Sequence, residues 1–162
     1  MLEFTSVKID PPQGSNIILG MAHFIKTVED LYEALTNATP TAKFGIGFCE
    51  SSGPCLVRHE GNDLDLEQKA AQKAIEIGCG HTFVIYLSNA YPINVLDKIK
   101  NIPELCTVFA ATANPLEIII AETEQGRGIM GVVDGYKSKG METEEDKKER
   151  KAFLRKIGYK LG

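Results

Sequence analysis

The chain has 162 residues, 43% of them hydrophobic and 25% charged, which suffices for the core of one domain and lies outside the range of disordered or fibrous sequences. Its net charge of −4 argues against a general nucleic-acid or membrane-surface binder, since both work through a summed positive field. No apolar run approaches the roughly 20 residues of a membrane-spanning helix, and MLEFTSVKIDPPQG lacks the order of a signal peptide, so a cytoplasmic protein is expected.

Leu2–Ile9 reads as a first strand, closed by the breaker run Asp10-Pro11-Pro12-Gln13-Gly14, and Asn16–Leu19 as a second. Thr27 is the expected N-cap of a helix, with Asp30 three residues on and Val28, Leu31, Tyr32 and Leu35 forming an apolar stripe. It ends near Asn37. In Lys43–Glu50, Phe44, Ile46 and Phe48 alternate with Gly45 and Gly47, giving a strand with one bulky face and one bare face open to another backbone or a ligand. A turn, a short strand Cys55–Arg58 and the polar cluster His59–Asp63 follow. A second helix spans about Asp63 to Ile77, with Leu66, Ala70, Ala74 and Ile77 facing inward and Gly78 ending it. Thr82–Leu87 is a strong strand, Pro92 opens a third helix, and Cys106–Ala111 is another strand.

Leu116–Ala121 and Ile129–Val133 flank a polar turn with two glycines around Arg127, the pattern of a β-hairpin. Their continuous apolar character predicts burial on both faces, at the centre of the sheet. Thr143 and Asp146 then cap a last helix over residues 144–157, dense in alternating charge, with Phe153, Leu154 and Ile157 as its apolar contact. The order β-β-α-β-β-α-β-α-β-β-β-α predicts an α/β fold, a mixed sheet with helices packed on it in an α/β/α sandwich-like single domain over residues 1–162.

Gly126–Gly131 matches G-x-G-x-x-G, but it runs into strand-like Val132-Val133-Asp134 where a dinucleotide fold needs a helix. With Val133 it resembles a protein-kinase glycine loop, yet no other kinase motif accompanies it and no Walker sequence is present. What survives is a turn in which backbone and guanidinium can approach an anion; a tight turn with a solvated arginine is the alternative. The four cysteines form no C-x-x-C pair, so small buried hydrophobes fit them better than a zinc site built with His81.

Polar clusters fall at strand ends, where α/β proteins bind ligands: Glu50-Ser51-Ser52-Gly53, and Arg58 through Asp63. Glu50 and Asp63 suit Mg²⁺ or a hydroxyl proton, although Asp63 also suits a helix cap. His81, between Gly80 and a strand, is either a structural histidine or a phosphoryl-accepting nucleophile; His23 poses the same choice.

Seven segments together resemble the adenosine-specific kinase family, a small archaeal and bacterial family: HFIKTVEDLYEAL (His23–Leu35), FGIGFCESSGPCLVRHEGND (Phe44–Asp63), GHTFVI (Gly80–Ile85), YPINVLDKIK (Tyr91–Lys100), ATANPLEIIIAET (Ala111–Thr123), GRGIMGVVDG (Gly126–Gly135) and LRKIGYKL (Leu154–Leu161). Ser51-Ser52 departs from the family's more frequent Ala-Ser. The resemblance implies a compact α/β sandwich that binds adenosine or AMP, assembles as a homo-oligomer (a trimer or a multiple), and transfers phosphoryl groups through a phosphohistidine. Carried over, His81 is the first choice for that histidine and His23 the second, and Asp63 is the other candidate catalytic residue. Glu50, Ser52, Arg58, Asn62, Asn114, Glu117 and Arg127 become the expected ligand-binding residues, with Mg²⁺ accompanying ATP or another donor. A non-catalytic adenine-nucleotide sensor is the alternative. RNA binding through Lys147, Lys148, Arg150, Lys151, Arg155 and Lys156 fits less well, because Glu144, Glu145, Asp146 and Glu149 interleave that run as on a solvated helix face.

Overall fold

Hydrophobic period and turn chemistry set twelve elements in the expected order, and the computed structural model describes all of Met1–Gly162. They are β1 (Glu3–Ile9), β2 (Ser15–Ala22), α1 (Thr27–Ala38), β3 (Lys43–Cys49), β4 (Val57–Gly61), α2 (Leu64–Ile77), β5 (Thr82–Ser88), α3 (Pro92–Lys100), β6 (Leu105–Thr112), β7 (Leu116–Glu122), β8 (Arg127–Asp134) and α4 (Glu144–Lys156). The α/β class is as expected. The strands divide between two sheets, β4-β3-β5-β2-β6 and β1-β7-β8, and every neighbouring pair is antiparallel. The Asp10–Gly14 breaker run is what lets β1 leave the larger sheet and pair with β7 instead.

The larger sheet is covered on both sides. Phe44, Ile46 and Phe48 of β3, Ile18 of β2, and Phe83, Ile85 and Leu87 of β5 pack against Leu31 and Leu35 of α1 and Val95 and Ile99 of α3. On the opposite face, Ile17, Leu19, Val84 and Tyr86 meet Ala70, Ala74 and Ile77 of α2 and Ile9, Leu116, Ile118 and Ile120 of the smaller sheet. The layers are thus two helices, a five-stranded sheet, and a third layer shared by α2 and three strands.

The bare face of β3 belongs to α2. A Cβ on Gly47 would lie 2.6 Å from the carbonyl oxygen of Ala70, and one on Gly45 would overlap the backbone of Leu66 and Glu67, so a helix and not a ligand uses that closeness.

Three local expectations change. Thr27 is the first residue of α1 and not its cap; its buried hydroxyl donates instead to Glu104 Oε1 at 3.2 Å. The strand expected over Cys55–Arg58 runs over Val57–Gly61, so His59 and Glu60 are strand residues on a sheet edge. The hairpin forms as predicted but is not enclosed. Leu116, Ile118 and Ile120 are buried, the alternate Glu117, Ile119 and Ala121 are half-buried, and β8 has no buried residue. Its central place in the sheet passes to β5, because the smaller sheet has only one covered face.

The capping box of Thr143 and Asp146 starts α4 as expected, but no residue of α4 is buried and Phe153 is 58% exposed. If the β3–α2 contact sets the packing, Gly47→Ala should destabilise the chain by about 1–3 kcal/mol through overpacking. Gly126→Ala, where an added Cβ meets nothing within 4 Å, should change stability by less than about 0.5 kcal/mol in the same denaturant titration.

Candidate functional site

One end of the larger sheet gathers most of the chemistry. There β3 runs out into Glu50-Ser51-Ser52, and β5 begins just after Gly80-His81. His81 has a left-handed backbone, φ +64°, which a side-chain-bearing residue holds only when its surroundings fix it. They do: its N–H donates to Cys49 O at 2.8 Å, and its carbonyl accepts from Ala22 N at 3.0 Å. The half-buried ring stacks on Phe48, with 6.0 Å between centroids and 22° between planes. Its Nε2 lies 2.7 Å from the Ser51 hydroxyl, which leaves Nδ1 as the ring nitrogen without a protein partner. Gly80 permits this approach, because a Cβ there would sit 2.7 Å from the Ser51 Cβ.

Ser51 and Gly80 line a cavity of about 580 Å³, together with Cys49, Glu50, Ile75 and Arg127, a size suited to a small organic ligand. Sequence reasoning singled out Ser52 as the ligand-binding serine. Ser52 is an exposed turn residue whose carbonyl accepts from Cys55 N, and the serine that meets His81 is Ser51. The strand-to-turn position was visible, but the direction in which the turn aims each hydroxyl was not.

Glu50 and Arg58 form an ion pair between Oε1 and Nη2 at 2.5 Å, while Glu50 Oε2 accepts from Leu56 N at 2.8 Å. Both oxygens of Glu50 are thereby used to close the 51–56 loop. Arg58 lies 5.8 Å from the centroid of Phe48, the ring that also carries His81, so the two cationic side chains share one aromatic support. Arg127 arrives from the β7–β8 turn. Its Nε donates to Glu122 at 3.0 Å and its Nη1 to the carbonyls of Glu76 and Ile77 at 3.2 and 3.4 Å, which caps the C-terminus of α2. Arg127 is thus an exposed but paired arginine, held between Glu122 and the end of α2 at the cavity wall.

Asp63, Asn62, Asn114 and Glu117 lie elsewhere. Asp63 caps α2, accepting from Leu66 N at 3.0 Å, and Asn62 holds the start of β3 through Phe44 N and Ala42 O, both at 2.8 Å. They sit where β4 ends and β3 begins, about 20 Å along the strands from His81, so the two residues expected in catalysis, His81 and Asp63, lie apart within one chain. Asn114 ties the β6–β7 turn to Asp134 at 3.3 Å, and Glu117 lies on the outer face of the smaller sheet opposite Lys8. His23 is exposed just beyond β2, at the His81 end, with its N–H on Glu104 O at 3.2 Å. No three His, Cys, Asp or Glu side chains converge as metal ligands within the chain.

These features define an α/β protein with a sheet-end cavity beside a conformationally fixed histidine. The family model described as adenosine specific kinase matches residues 7–160, and the chain belongs to that family. No curated protein matches. Five chains of known structure do, among them the PH1918 protein of Pyrococcus horikoshii OT3, which is 48% identical, superposes with a TM-score of 0.96 and is matched over 100% of both chains. Family membership supports an adenosine-related, kinase-like function. No helix is long and apolar enough to cross a membrane.

Two buried thiols lie at this end of the sheet, Cys49 in the cavity lining and Cys79 in the core between Gly78 and Gly80. Burial, reinforced by the Cys79 thiol, pushes Cys49 from 9.0 to about 11. Burial likewise pushes Cys79 to about 11, against the pull of Arg127 and with a contribution from Glu122. Raised acids stabilise the fold fully below their unfolded pKa of about 9 and lose that contribution as pH rises through the folded value. The melting temperature should therefore fall between pH 9 and about 11, less steeply in a Cys49→Ala/Cys79→Ala variant. Below pH 9, native protein should take up iodoacetamide at the exposed Cys55 and Cys106 and not at the buried pair, as read by peptide mass spectrometry.

Proposed function

We propose that the chain is a phosphotransferase acting on adenosine or AMP, with His81 as a transient phosphoryl carrier. The observation that carries this reading is the His81–Ser51 contact at 2.7 Å, on a backbone held at positive φ beside the cavity. On this reading a ring nitrogen of His81 attacks the terminal phosphorus of ATP or another donor, and the bond to the leaving phosphate oxygen breaks. The acceptor hydroxyl then attacks that phosphorus, the P–N bond breaks, and the freed imidazole nitrogen takes the hydroxyl proton. Ser51 orients the ring throughout. The Glu50–Arg58 pair is a positioning unit, fixing the loop that carries Ser51. Mg²⁺ enters with the phosphates of the donor, since those phosphates supply most of its ligands in such sites.

Label from γ-³²P-ATP should be acid-labile and base-stable. Alanine at position 81 would also strain the left-handed backbone, so His81→Asn, which tolerates that conformation, is the cleaner variant. His81→Asn should keep the wild-type melting temperature and lose the label, while His23→Ala keeps it. Label retained in His81→Asn would move the carrier to His23. Calorimetry should give binding heat with adenosine and AMP and none with guanosine.

One observation favours a second reading, a non-catalytic adenine-nucleotide sensor: both arginines near the cavity are already paired, Arg58 with Glu50 and Arg127 with Glu122. Single-turnover conditions separate the two, since a sensor binds AMP and forms no product.

Homo-oligomeric assembly, as a trimer or a multiple, belongs to the same reading. It is supported by two surfaces left uncovered in one chain, α4 with Phe153 and Ile157, and the outer face of β1-β7-β8 with Phe4, Met130 and Val133. Light scattering should give a multiple of 17.8 kDa, and Phe153→Glu with Ile157→Glu should lower it.

A further inference from the structure

β3 and β5 are antiparallel neighbours, so the chain leaving one passes the chain entering the other. Ser51 and His81 meet in this way from 30 positions apart, with the Ser51 hydroxyl 2.7 Å from His81 Nε2. With the ring proton on Nδ1, the hydroxyl donates to Nε2, the arrangement of a nucleophile and its general base. A hydroxyl without such a base is a poor nucleophile at neutral pH.

The base is set in place. The stack on Phe48 fixes the plane of the ring, and the anchored N–H and carbonyl of His81 fix the backbone that carries it. The nucleophile stands in the open. Ser51 is exposed and lines the cavity of about 580 Å³, whereas His81 is not part of that lining. A phosphate seated in the cavity therefore meets the serine hydroxyl first, with the imidazole behind it. The N–H groups of Ser51, Ser52 and Gly53 donate to no backbone carbonyl of the chain, so three successive amides of one turn are free to meet phosphate oxygens. Arg127 brings a positive charge to the same wall.

We propose that Ser51 is a phosphoryl acceptor in its own right, with His81 as its general base and a nucleoside triphosphate as donor. Ser51 Oγ attacks the terminal phosphorus, and an O–P bond forms. The bond from that phosphorus to the bridging oxygen breaks, and its electron pair leaves with the nucleoside diphosphate. The serine proton passes to His81 Nε2. The product is a phosphoserine on this chain, a modification distinct from the phosphohistidine of the reading above. It shares only the donor with that reading, and it uses the imidazole as a base where that reading uses it as a carrier.

The test incubates the purified full chain with Mg²⁺ and γ-³²P-ATP and divides the label by its stability. A serine phosphate survives acid and is lost in alkali, whereas a histidine phosphate does the reverse. Wild type should carry an acid-stable fraction that peptide mass spectrometry places on Ser51, formed at a fractional rate independent of protein concentration. Ser51→Ala, at an exposed position, should keep the wild-type melting temperature and lose that fraction, while Ser52→Ala retains it. His81→Asn leaves the hydroxyl without its base and should slow acid-stable labelling by about 100-fold or more. Acid-stable label undiminished in Ser51→Ala, or formed at an unchanged rate in His81→Asn, would overturn the proposal. Acid-labile label alone in the wild type would also overturn it and leave the His81 carrier standing. Acid-stable label alone would remove the carrier and leave Ser51 as the acceptor.

Discussion

Every side chain of β5 from Thr82 to Leu87 is buried, alternately against α1 with α3 and against α2 with the smaller sheet. A strand enclosed on both faces has no room along its length for a polar group that lacks a partner. Polar chemistry is therefore displaced to the two ends of the sheet. One end carries His81, Ser51 and the Glu50–Arg58 pair; the other carries Asn62 and Asp63. The same enclosure accounts for the fixed backbone of His81, since the residue leading into β5 is anchored through both its N–H and its carbonyl.

The second organising element is α2, and it accounts for two residues that stand out in the sequence as candidate ligands. Asp63 accepts at its N-terminus, and Arg127 donates to its last carbonyls from the hairpin turn. An acid at the positive end and a base at the negative end both complement the helix dipole. The contact also carries the smaller sheet onto the larger one and brings the hairpin tip to the rim of the His81 cavity. The G-x-G-x-x-G match thus holds a layer in place and adds Gly126 and Arg127 to the cavity wall.

The third layer is only half finished in a single chain. Ile119 and Ala121 of β7 and Met130 and Val133 of β8 lie on or beside a face that no element covers, and α4 keeps its apolar residues in solvent. Its charged residues pair locally, as Lys147 does with Glu144 and Arg150 with Glu142, so the helix is held by capping and ion pairs instead of a core.

Local chemistry wrote much of the fold directly into the sequence. The inner face of α2 and its Gly78 stop, the capping box of α4, the strand over Thr82–Leu87 and the hairpin all follow from spacing and turn residues that act within a few positions. Motifs spread over the chain marked the family, and the match over residues 7–160 agrees. Only the tertiary structure decided which apolar runs have two covered faces. Ile118-Ile119-Ile120 reads the same as a central strand, and periodicity cannot tell whether a second layer arrives on the far side. It also decided which polar residues share a site. Arg127 and Ser51, the partner of His81, are distant in sequence yet line one cavity, while Asp63, close to Arg58 in sequence, sits at the other end of the strand.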